Sequence, residues 1–80
     1  MNMNDALINL LRRREEVIAD HALRDRDSVA HLAALREVSE QITAWSEANH
    51  ARIDARLRHY LANAGFSKAL AHLEGLEQGR

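Results

Sequence analysis

The groups able to do chemistry in this chain are five histidines, twelve carboxylates and eleven basic side chains; there is no cysteine. Glu47 and His50 stand in a Glu-x-x-His pattern, the spacing by which carboxylate-bridged helical bundles bring a carboxylate and an imidazole to one metal ion. A second copy of the chain, with Glu15 or Glu16, would supply the remaining ligands. Helical geometry opposes this. At 100° per residue, with Ile42 marking the core direction, His50 points about 80° and Glu47 about 140° away, so both read as solvated. His50 and Asp54, four apart, share one helix flank, but two ligands fall short of the three or four that a firm site takes. A metal-binding bundle is therefore an alternative reading without an assigned metal ligand, and no cofactor is expected.

His21, His31, His59 and His72 do not cluster in sequence. His21 and His31 flank one polar turn and are expected near it as partly buried structural histidines. Ser28, Ser39, Ser46 and Ser67 read as caps or small packing residues, and spacing assembles no Ser-His-acid set. No Gly-rich loop is present to cradle a phosphate. The sequence therefore assigns no catalytic residue, and an enzyme is not expected.

Arg52, Arg56 and His59 line one helical flank, and Lys68 follows a short turn. The stretch His59-Tyr60-Leu61-Ala62-Asn63-Ala64-Gly65-Phe66-Ser67 resembles the turn of a helix-turn-helix, in which a Gly, an apolar residue and a Ser join two short helices. That resemblance implies a small DNA-binding regulator using Arg52, Arg56, His59 and Lys68. The would-be recognition helix also carries Glu74 and Glu77, the wrong sign for phosphate. Residues 1–40 hold six basic and eight acidic side chains, a balance of −2, and residues 41–80 hold five and four, a balance of +1. Neither half has the basic excess usual in nucleic-acid binding, so DNA binding is the alternative rather than the main reading.

The elements that must position these groups are helices. The 80 residues contain no Pro and only three Gly, all in the last quarter, and Ala, Leu, Arg and Glu favour helix. The organising stripe is Leu35, Val38, Ile42, Trp45, Asn49, Ile53, Leu57, Tyr60 and Ala64, spaced three or four apart and coiled-coil-like. It predicts a helix over about 28–64, with a candidate break near 49–54. Unbroken, it would run roughly 54 Å. Asp27 or Ser28 caps its start. A first helix over about 5–24 carries Leu7, Leu10, Leu11, Val17, Ile18 and Ala22. Paired antiparallel about the intervening turn, it sets Leu11 near Ile42 and Leu7 near Trp45. Arg14 interrupts its apolar stripe. It is expected either at the edge with its guanidinium in water, or in a polar layer facing Ser39 and Glu40. Gly65 is expected to end the long helix in the left-handed conformation. Phe66 and Ser67 then open a third helix over about 67–78, with Leu70, Leu73 and Leu76 on its apolar face.

These expectations define one all-α domain over 1–80, a small bundle of three helices. A chain this short buries only about 60% of its unfolded surface, and the first helix covers only half of the long one. The uncovered stripe predicts a homodimer, with Leu35, Val38, Ile42, Trp45, Asn49, Ile53 and Tyr60 as candidate interface residues. Asn49, polar in mid-stripe, would set register or oligomer number. No window approaches the ~20 apolar residues of a membrane span, and a cytoplasmic location is expected. The function expected is a non-enzymatic interaction or scaffolding protein that partners itself, or another protein through a helix face.

Overall fold

Three aspartates divide the chain. In each, a side-chain Oδ1 accepts the backbone N–H three residues on, and so opens a helix. Asp20 accepts from Leu23 at 3.0 Å, Asp27 from Ala30 at 3.0 Å, and Asp54 from Leu57 at 2.7 Å. The computed structural model describes residues 4–75. Among them are α1 (Asn4–Ala19), α2 (His21–Arg26), α3 (Ser28–Ala48), α4 (Ala55–Ala62) and α5 (Phe66–Leu73), with a 3-10 turn at His50–Arg52 before α4. The all-α class stands, but three expected helices are divided into five. The stretch 76–78, with Leu76 and Glu77, lies outside the described residues.

The first expected helix is cut at Asp20, whose carboxylate offers the backbone a cap in place of a continued ladder. The helix expected over 28–64 is cut within the 49–54 window. Asn49 folds its side chain onto its own helix: Nδ2 and the backbone N–H both donate to the Trp45 carbonyl, at 2.9 and 3.0 Å. The polar residue in the stripe thus marks where α3 stops. After the 3-10 turn, Asp54 restarts the chain as α4. Arg58 holds this corner, its Nη1 donating to the carbonyls of Ile53 at 2.7 Å and His50 at 3.1 Å.

The break is what closes the core. It lets α4 and α5 turn back onto α1 and α3. Leu7 and Leu11 of α1, Val38 and Ile42 of α3, Ile53, Leu57 of α4 and Ala69 of α5 are buried in one cluster. Leu10, Leu35, Trp45, Tyr60, Phe66 and Leu70 pack around it, half-buried. The residues expected at a subunit contact are therefore used within one chain. Val38, Ile42 and Ile53 are core, Leu35, Trp45 and Tyr60 pack against it, and Asn49 is a cap. The uncovered second half of the stripe, the original reason for expecting a second copy, is covered by the chain itself.

The turn into α5 differs in detail from its sequence reading. Ala64, at φ 56°, takes the left-handed position rather than Gly65, at φ −82°. The Gly65 N–H reaches the Tyr60 carbonyl at 2.7 Å and the Ala64 N–H reaches that of Leu61 at 3.3 Å, the paired bonds of a Schellman end. Gly65 sits in close quarters: a Cβ there would lie 3.3 Å from the Tyr60 carbonyl oxygen, a tight contact. The chain is already turned by then, so α5 starts at Phe66 and Ser67 is not its cap.

Candidate functional site

Side-chain hydrogen bonds between distant residues gather on α5 and the start of α4. Asp54 is the hinge of this region. Its Oδ1 caps α4, while Oδ2 accepts a hydrogen bond from His72 Nε2 of α5 at 3.0 Å. The His72 ring meets Tyr60 edge-on, centroids 6.0 Å apart. Asp54 thus ties the start of α4 to the end of α5. The His72 hydrogen bond, then the Leu57 N–H, hold its carboxyl below the ordinary value of 3.8, against a smaller opposing effect of burial. His50, which shares a helix flank with Asp54 in the sequence reading, is exposed. Among the described residues no three histidines or carboxylates come together as a metal would need.

Two cavities flank the turn. The larger, about 640 Å³, runs between α3 and α4. Glu47, His50, Arg58 and His59 supply its charge and Ile42, Leu61 and Phe66 its apolar surface. Glu47 and His50 do share this groove, both exposed, as the angular argument expects. The smaller, about 370 Å³, lies at the start of α5 and is lined by Arg14, His59, Asn63, Phe66, Ser67 and Lys68 among others. Of the four candidate nucleic-acid residues, His59 and Lys68 come together here; Arg52 and Arg56 line neither cavity. Arg56 instead adds to the field that holds the Asp54 carboxyl low. Ser67 donates to Glu15 Oε2 at 3.2 Å, and Arg12 Nε donates to Glu74 Oε2 at 2.8 Å. These pairs fasten α5 to α1.

Arg14, which the sequence flags as foreign to its stripe, is half-buried. Its guanidinium carbon sits 4.6 Å over the Phe66 ring, not opposite Ser39 and Glu40, because α5 and not α3 lies beside that face of α1. Its Nε is buried with no hydrogen-bond partner. His21 and His31 also part company. His31 donates Nε2–H to the Val17 carbonyl at 2.7 Å, capping the end of α1, while His21 is exposed at the start of α2.

A different surface lies at the far end, where α1 ends, α2 turns and α3 begins. Ile18, Val29 and Leu32 are 40%, 77% and 57% exposed, and α2 has no buried residue. The His31 bond to Val17 places the start of α3 against the end of α1, so the three apolar side chains belong to one end of the molecule. No helix among the described residues is long and apolar enough to cross a membrane. Comparison with family models, with curated proteins and with solved structures found no match.

Proposed function

We propose that this chain is a small non-enzymatic interaction protein that associates with a second copy of itself through α2 and the first turns of α3. The carrying observation is the exposure of Val29 and Leu32, 77% and 57%, beside Ile18 at an end where α2 buries nothing. A chain of this length is marginal on its own burial, so covering this end stabilises the fold as well as joining the copies. The end also carries both signs of charge, with Arg24 and Arg26 beside Asp20, Asp25 and Asp27. A two-fold contact sets each patch against its own copy and lets the signs pair. Sedimentation velocity across micromolar and higher concentrations tests the reading. Self-association that is lost in Leu32→Glu, with helicity unchanged, supports it; a monomer at every concentration overturns it.

One other reading has an observation in its favour. Helices α4 and α5 are joined by three residues, as in a helix-turn-helix, with His59 and Lys68 at the joint. Against it, α5 gives Ala69 to the core and ends on Glu74, which is paired with Arg12. Electrostatic DNA binding is strongest at low salt, so a mobility shift absent there rules this reading out.

A further inference from the structure

We propose that the cavity at the start of α5 is a binding site for a small oxyanion of the phosphate type. The argument begins with Arg14. Its guanidinium is charged at every physiological pH, yet Nε is buried without an acceptor. A buried donor left unpaired is costly and asks for an explanation. The carbon of the same guanidinium lies 4.6 Å over Phe66, and both residues line the 370 Å³ cavity. The Arg14 head group is thus held at the cavity by a ring stack, and among the described residues no carboxylate is part of the lining.

The other walls supply donors. Lys68 brings a second fixed positive charge. Asn63 Nδ2 lies 3.3 Å from His59 Nδ1; an amide N–H donated there makes Nδ1 an acceptor and leaves the ring proton on Nε2, a further donor. Helix α5 begins at this cavity with no side-chain cap, because its N-cap residue is Gly65. The first N–H groups of a helix lack intrahelical acceptors and favour an anion. Glu15 is the opposing charge, hydrogen-bonded at 3.2 Å to the hydroxyl of Ser67 in the cavity wall. Arg14 and Lys68 against Glu15 leave one net positive charge. Tetrahedral oxyanions match this set of converging donors, with charge-assisted bonds from the guanidinium. Such a group can be free phosphate or the end of a phosphate monoester, and Phe66 and Tyr60 give an aromatic ester something to pack against.

The test is an NMR titration of the full chain with inorganic phosphate and, separately, phenyl phosphate, at ionic strength held constant with sodium chloride. Saturable shifts in the Phe66, Ser67 and Lys68 amides and in Arg14 Nε–H are expected. Arg14→Met is expected to weaken binding about tenfold, the loss of a charge-assisted contact. Lys68 is exposed, so Lys68→Gln keeps the fold and weakens binding about threefold by loss of one charge; it decides the matter if Arg14→Met does not fold. Tighter binding of phenyl phosphate assigns a monoester, and equal binding assigns the free anion. Shifts that sodium chloride alone reproduces, or affinity unchanged in Lys68→Gln and in a folded Arg14→Met, overturn the site.

Discussion

Val38 and Ile42, in the second half of α3, are closed off from water, while Val29 and Leu32, in its first two turns, stand 77% and 57% exposed. One helix therefore passes through two environments. In its second half it is met by α1 and α4, and its buried side chains share one core with theirs and with Ala69 of α5. In its first half it has for company the end of α1 and a six-residue helix that buries nothing. The difference teaches that apolar periodicity marks which face of a helix is able to be covered, whereas the breaks in the chain decide which part of it is. Here the break at 49–54 sends α4 and α5 back toward one end, and the other end is left open. That open end is where the proposed self-association acts.

The largest effect is expected from truncating the closed end. Ile42→Ala or Leu57→Ala removes a fully enclosed side chain and should cost about 2–5 kcal/mol. Leu32→Ala, at the open end, should stay within about 0.5 kcal/mol when measured at concentrations where the chain is monomeric. Urea unfolding of the three variants gives the contrast directly, and equal losses would erase the distinction between the ends.

Next in size is the Asp54 hinge. Asp54→Ala removes the cap of α4 and should cost about 1–2 kcal/mol. Because the His72 hydrogen bond and the Leu57 N–H hold this carboxyl below its ordinary 3.8, the folded form takes up the proton less readily than the unfolded form. Its contribution is complete above about pH 5 and is lost as pH falls through the folded value. Asp54→Asn keeps a capping oxygen without the charge, so it should flatten this residue's share of the acid transition in a pH series of thermal melts. An unchanged acid limb would remove Asp54 from that role.

A smaller and opposite effect is expected at Ala64. A non-glycine residue in the left-handed region is strained, so Ala64→Gly should stabilise by about 0.5–1 kcal/mol after the extra unfolded-state entropy of glycine is offset. A rise in melting temperature checks it, and a fall would contradict the Schellman assignment. Smallest of all, Val29→Glu should leave monomer stability unchanged within about 0.5 kcal/mol while reducing association in sedimentation.

What the sequence made legible was local. Asp27 as a candidate cap, the helical stripes, and the 49–54 window as a candidate break all follow from patterns within one or two turns, although the pattern by itself favours one continuous helix over 28–64. The stripe through Val38, Ile42 and Leu57 is the core stripe, as its spacing implied. The parts that could not be read are long-range. The Asp54–His72 bond and the Arg14–Phe66 stack join residues far apart in the chain; the first depends on the turn between α4 and α5, and the second on α5 lying against α1. The pattern flagged Arg14 as foreign to an apolar stripe, but its partner became visible only once α5 was seen beside α1. The cut at Asp20 was missed because Leu23 and Ala22 continue the helical rhythm through it. The left-handed residue was misassigned by one position, since glycine at 65 serves close approach to Tyr60 rather than backbone conformation.

Residue-resolved amide hydrogen exchange at several protein concentrations tests the two-ended account most directly. The account predicts strong, concentration-independent protection in the second half of α3, and protection in α2 and the first turns of α3 that is weak when dilute and rises with concentration. Protection that is equal at both ends, or that does not change with concentration in residues 21–32, would contradict it.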